Sequence, residues 1–217
     1  MKKIHIITVA KVGSASIYHS LIKKKGTDAY HGHSLDTLKN VLKTSDNLII
    51  TGIRNPLDRN LSYLFQTMGD KFFNDVKTSH NNYKGEYCYL QGYKDSNDLI
   101  DKYFKMDYHN TFNEWFNEFL EITNIKKFNK EKGFEIYCLD NNNKILMYTL
   151  EKLNLNEIEI CDYLDIDTLI KKNINEDDLY KRVKKKISYK KEYLDNLLNT
   201  DIMRLFYTDE DIKEMYT

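Results

Sequence analysis

The run Ile4-His5-Ile6-Ile7-Thr8-Val9-Ala10-Lys11-Val12-Gly13-Ser14-Ala15-Ser16-Ile17 decides the fold. Its first half is short, apolar and rich in β-branched residues, which predicts a buried strand over residues 4–10. Its second half turns at Gly13 and opens a helix over 14–25, with Ile17, Leu21 and Ile22 on one side and Gly26 as its stop. A secretory signal is the competing reading after Lys2-Lys3. The apolar run is too short for one, contains His5, and ends at Lys11 without a cleavage context.

The same alternation continues along the chain. A short strand is expected near 28–33, a helix near 35–43, and a second buried strand at Leu48-Ile49-Ile50-Thr51-Gly52-Ile53. A helix begins at Pro56, residues 70–95 form a polar, Tyr/Asn-rich excursion, and 96–126 read as helix centred on Trp115-Phe116 and Phe119-Leu120. Residues 134–139 and 145–148 are further strands with Asn141-Asn142-Asn143 as the turn between them, and helices follow from about 157. Strands alternating with helices predict a three-layer α/β fold, with a mainly parallel central sheet flanked by helices. No repeat or linker divides residues 1–217, so a single domain is expected, with 70–130 as a helical excursion that would form an acceptor lobe.

Composition limits the function classes. Lys+Arg and Asp+Glu are 33 each, a neutral balance that argues against a nucleic-acid partner. No stretch approaches 18 uninterrupted apolar residues, so no membrane span is expected. Cys88, Cys138 and Cys161 are odd in number and widely separated, which suits neither a disulfide framework nor a structural zinc and points to a reducing cytoplasm. Only four arginines occur, Arg54, Arg59, Arg182 and Arg204, and a single proline, Pro56. Two of those arginines and the proline fall within Arg54-Asn55-Pro56-Leu57-Asp58-Arg59.

The loop Lys11-Val12-Gly13-Ser14-Ala15-Ser16 has the chemistry of an anion cradle. Gly13 permits a tight path, small side chains expose successive N–H groups, and the helix N-terminus adds partial positive charge. Lys11 brings a full charge, and Ser14 and Ser16 bring hydroxyls. The simpler reading is a strand-to-helix turn with Ser14 as N-cap. A nucleoside-triphosphate loop of the form GxxxxGK[ST] is absent, because Lys precedes the glycine here and no second glycine follows.

In the Arg-Pro segment, Asn55 is a good N-cap, Pro56 suits the first helical position, and Asp58 at the third completes a capping-box-like start. Leu57, Leu61, Leu64, Phe65 and Met68 form that helix's buried stripe, and Ser62 lies on its flank. Arg offers a rigid fork of donors suited to phosphate where Lys offers a point charge. A surface ion pair for Arg54 and an ordinary surface position for Ser62 are the plainer alternatives.

Together the two segments, Lys11 to Ser16 after the first strand and Arg54-(seven residues)-Ser62 after a later one, resemble the sulfotransferases. The resemblance extends to Asn113–Phe119, Phe128–Phe134, Leu146–Leu153 and Phe206–Ile212, which are similar to bacterial capsular-polysaccharide sulfotransferases. It implies a P-loop-like sulfotransferase fold and a donor, 3′-phosphoadenosine 5′-phosphosulfate (PAPS). By that resemblance Lys11, Val12, Gly13, Ser14, Ala15 and Ser16 hold the 5′-phosphosulfate, Arg54 and Ser62 hold the 3′-phosphate, and no metal is needed. It further implies transfer of a sulfuryl group to a carbohydrate hydroxyl in making a surface polysaccharide, with a nucleotide donor and a glycan acceptor as partners. Position 15 is Ala where a hydroxyl residue is common, and the RKGxxGDW-type signature of small-molecule sulfotransferases is absent, which turns the expectation towards glycans.

Such a transfer needs a base, and Ala29-Tyr30-His31-Gly32-His33-Ser34 stands at the end of the expected second strand. Imidazole titrates near neutral pH, and strand alternation puts His31 and His33 on one face. His33, nearer the carboxyl edge where α/β sites gather, is the expected base, with His31 orienting it or serving instead and Lys11 stabilising the leaving phosphate. Two ordinary loop histidines, or an H-x-H metal site without further ligands, are the competing readings. His5, His19, His80 and His109 are expected to be structural, as are Glu151 at a strand–helix junction and the Trp115-Phe116 pair in the core. The basic run 181–191 reads as a solvated helix face, with a share of the 3′-phosphate, an anionic glycan or peripheral membrane contact as the sharper possibilities. The rival functions are a P-loop-like nucleotide kinase and a non-catalytic nucleotide- or glycan-binding protein of the same fold.

Overall fold

A computed structural model describes residues 3–63, 111–170, 180–181, 184–185 and 187–216. The expected excursion at 70–95, the first part of the 96–126 helix, the stripe residues Leu64, Phe65 and Met68, and Cys88, His80, His109 and Arg182 lie outside the described residues.

Five strands form one sheet: β1 (Lys3–Ile7), β2 (Ala29–Gly32), β3 (Asn47–Ile53), β4 (Phe134–Cys138) and β5 (Lys144–Thr149). Their order is β2-β1-β3-β5-β4, parallel except for the β4–β5 pair, which is an antiparallel hairpin. The expected mainly parallel sheet is therefore present. β1 is shorter than the expected 4–10, because β2 ends at Gly32 and the last bond across that edge is Thr8 N–H to the Gly32 carbonyl, 3.2 Å.

The helices between them are α1 (Ser14–Lys23), α2 (Leu35–Leu42), α3, described over 56–63, and α4 (Thr111–Thr123). After the sheet come α5 (Glu157–Leu164), α6 (Lys191–Leu198), α7 (Asp201–Phe206) and α8 (Asp209–Met215). α1 stops before Gly26, whose φ of 86° serves the following turn instead of the helix end.

Side-chain alternation on the sheet divides the core in two. Ile7, Ile49, Ile53, Ile145 and Met147 face α2, α4, α6 and α7, while Ile6, Leu48, Ile50, Leu146 and Tyr148 face α1 and α5. Helices on both faces explain why all seven residues of β3 are buried, as a central parallel strand requires. α4 inserts Phe112, Phe116 and Phe119, each fully buried and each contributing about 1.5–3 kcal/mol by burial.

A polar knot closes the amino end of the sheet. Buried Asn143 accepts from the Asn47 N–H and Nδ2, both at 3.0 Å, and donates to the carbonyls of Thr44 (2.8 Å) and Leu42 (3.4 Å). Asn143→Ala leaves the Asn47 N–H without its acceptor in the interior, while Asn47 Nδ2 keeps Val41 O (3.2 Å) and Thr44 Oγ1 (3.0 Å), and is expected to cost about 1–3 kcal/mol, read as a lower denaturant midpoint with unchanged slope.

Candidate functional site

The site lies at the carboxyl edge of the sheet, where the turns after β1, β2 and β3 meet. Between β1 and α1 the chain takes left-handed values at alternate residues, Lys11 (φ 74°) and Gly13 (φ 77°). Gly13 is the N-cap of α1 and makes no side-chain capping bond, so the simpler reading with Ser14 as N-cap does not hold: Ser14 is the first helical residue. The φ of 77° favours glycine at position 13, and a Cβ there would also press on the end of the Leu150 side chain, 2.5 Å from Cδ1. A left-handed residue followed by the helical Ser14 is the backbone of an anion-binding nest.

The loop carbonyls are all occupied. Arg59 Nε donates to Ala10 O (3.2 Å), Arg54 Nη1 to Lys11 O (3.3 Å), Tyr148 Oη to Val12 O (3.0 Å) and Ser16 N to Gly13 O (3.0 Å). Among the described residues no protein acceptor takes the backbone N–H of Lys11, Val12, Gly13, Ser14 or Ala15. Val12 is buried in the core, and Ala15 and Ser16 are half-buried at the start of α1.

Positive charge collects on this loop. Lys11 is half-buried, has no carboxylate partner among the described residues, and burial followed by the charges of Arg54 and Arg59 lowers its pKa. Arg54 stands 3.9 Å from Asp58, which also takes Lys184 at 2.6 Å. The expected reciprocal cap by Asp58 is thus corrected. Asn55 Oδ1 does accept from Leu57 N (2.9 Å), but the Asn55 N–H goes to Glu151 Oε1 at 2.7 Å. Glu151 also accepts from Tyr207 Oη (3.1 Å), and burial raises its pKa.

Both histidines reach the same edge. Ser14 Oγ and His31 Nε2 stand 2.9 Å apart, and His31 stacks on Tyr18 at 5.4 Å. The His31 and His33 rings are 5.4 Å apart, edge to face. His33 Nδ1 lies 2.7 Å from the Thr8 carbonyl, which can only accept, so Nδ1 carries the hydrogen and neutral His33 presents a lone pair at Nε2. Trp115, half-buried and stacked on Phe119, donates from Nε1 to the His33 carbonyl at 2.9 Å.

The structure therefore brings Lys11–Ser16, Arg54, His31 and His33 together. Ser62 is half-buried on α3, about 10 Å along the axis from the Asn55 cap, and no hydrogen bond ties it to the loop among the described residues. Two participants escaped the sequence reading. Arg59 is 2% exposed, donates also to Asn60 Oδ1 (2.9 Å), and lies over the Tyr63 ring. Tyr148 had been only a strand residue; the available signal was Gly52, an otherwise costly glycine inside a buried strand directly opposite it.

Among the described residues no group of three or more His, Cys, Asp or Glu could hold a metal ion, and no helix is long and apolar enough to cross a membrane. No protein-family model matches this chain, and no curated protein or solved structure is significantly similar to it.

Burial, then the charges of His33 and His19, lowers the pKa of His31, and burial does the same for His5. Both sit below the unfolded value of 6.5, so the unfolded chain takes up protons first as pH falls. Stability is expected to fall as the pH is taken from neutral to below the unfolded value of about 6.5. His31→Gln, which keeps a polar partner for Ser14, should show a smaller drop in thermal midpoint over that interval; an identical drop would remove His31 from the account.

Proposed function

We propose that this protein is a sulfotransferase that moves a sulfuryl group from PAPS to a hydroxyl of a carbohydrate acceptor. The observation that carries the proposal is the row of N–H groups at residues 11–15 that meet no protein acceptor among the described residues, gathered with Lys11 and Arg54 beside an imidazole whose Nε2 likewise meets no partner among them. Convergent N–H dipoles and two cations suit a phosphosulfate, which is multiply charged and has several acceptor oxygens. The residues fit the donor in that sense. Lys11 to Ser16 would hold its 5′ end. Arg54 uses one N–H on Lys11 O and keeps further donors for a phosphate oxygen, while Ser62, farther along α3, would reach the 3′-phosphate of an extended nucleotide.

In this reading the chain has three tasks. The loop N–H groups and Lys11 stabilise charge that develops on the departing phosphate. His33 Nε2 accepts the acceptor's hydroxyl proton, with Thr8 and Trp115 fixing the ring and its backbone. His31, half-buried and bonded to Ser14, joins the base to the cradle, and the burial that lowers its pKa favours the neutral ring. The acceptor class, a glycan of a surface polysaccharide, rests on the sequence resemblance and on the exposed position of His33, which suits a bulky acceptor. The location remains that of the sequence expectation, a reducing cytoplasm.

Calorimetric titration with adenosine 3′,5′-bisphosphate, with 5′-AMP as comparator, tests the donor. Tighter binding of the bisphosphate is expected, and equal weak binding of both would remove the roles of Arg54 and Ser62. In turnover, His33→Ala should lower the rate roughly 10²–10⁴-fold while bisphosphate binding survives. An unchanged rate would take the base away from His33.

A further inference from the structure

The loop does not hold its shape by its own bonds. Three successive carbonyls, those of Ala10, Lys11 and Val12, are held by side chains from α3, the turn before it and β5: Arg59 Nε at 3.2 Å, Arg54 Nη1 at 3.3 Å and Tyr148 Oη at 3.0 Å. There is no cis peptide bond among the described residues. In a trans peptide the N–H lies opposite the preceding C=O. Each captured carbonyl therefore turns the N–H of the next residue, Lys11, Val12 or Gly13, away from the captor.

We propose that Arg59 and Tyr148 are positioning residues that lock the peptide planes of the loop in the anion-receiving orientation before an anion arrives. The inference rests on the reading of this loop as the donor site.

Two features show that the captors are seated for this contact. Arg59 is 2% exposed, so its charge is not presented to solvent, and its Nη1 is spent on Asn60 Oδ1. Tyr148 is fully buried, and its ring lies over Gly52 of β3 so closely that a Cβ there would stand 2.3 Å from Cζ and 2.5 Å from the hydroxyl. Glycine in a strand interior loses more entropy than alanine and packs nothing. Here its missing Cβ is what lets the phenol reach the Val12 carbonyl. Without the captors, a loop with a left-handed Lys11 has a sterically less costly backbone available, and forming the cradle would then draw on binding energy.

The test uses the full chain and adenosine 3′,5′-bisphosphate as probe, measured well below the unfolding midpoint of every variant. Tyr148→Phe removes one oxygen and keeps the ring. Arg59→Lys keeps the charge and loses the Nε donor. Each is expected to weaken bisphosphate binding about tenfold, the scale of one buried hydrogen bond. Gly52→Ala, which retains the phenol but displaces both its ring and its hydroxyl from the Val12 carbonyl, should weaken it similarly. A lower melting midpoint with an unchanged dissociation constant in Tyr148→Phe and Arg59→Lys would overturn the positioning role and leave the donor reading standing. Failure of the unaltered chain to bind the bisphosphate better than 5′-AMP would overturn the donor reading and this inference with it.

Discussion

The parallel pairing of β1 with β3, Ile4 beside Leu48 and Ile6 beside Ile50, is the constraint on which the rest depends. Because the two strands run the same way, the turns that leave them emerge at one edge. The loop at residues 10–13 and the segment at 54–59 thus become neighbours despite the forty residues, 14–53, between them. The pairing of β1 with β2 does the same for the histidines: Ile6 stands beside His31 and Ile7 beside Gly32, so His33 leaves the sheet beside Thr8. A parallel sheet covered by helices on both faces keeps this register fixed, since a slip of one residue would exchange the two apolar faces.

At that edge the neutral total of the chain conceals a local excess. Lys11, Arg54 and Arg59 crowd together, and burial followed by the two guanidinium charges lowers the Lys11 pKa, while Asp58 and Glu151 are already engaged. Asp58 is held by Lys184 and Arg54; Glu151 is held by Asn55 and Tyr207. The only basic-run residue that reaches this region among those described is Lys184, through Asp58. Like charges brought this close under partial or full burial repel, and a bound anion would relieve the repulsion.

Local chemistry made much of this legible in the sequence. β-branched runs marked the strands, Gly13 marked the turn, and the H-x-H spacing placed His31 and His33 on one edge. The residues that were misread are those whose partners lie far along the chain. Asp58 sits at the right spacing for a reciprocal cap, but Glu151, almost a hundred residues later, takes the Asn55 N–H instead. Arg59 gave no sign of its bond to Ala10, because helical spacing alone cannot say which turn lies behind a helix. Tyr148 was readable only as β-sheet core, and its contact with Val12 depends on the register that sets it opposite Gly52. The simpler reading of Ser14 as cap of its own helix fails because Gly13 takes the N-cap position, and the Ser14 hydroxyl meets His31 of the neighbouring strand.

Amide chemical shifts of Lys11 through Ala15, followed during a titration with adenosine 3′,5′-bisphosphate, test the central claim most directly. The free N–H groups of the loop should move downfield together as the anion enters, and their hydrogen exchange should slow. Binding that leaves these five amides unmoved while shifting others would contradict the account, because the anion would then sit elsewhere.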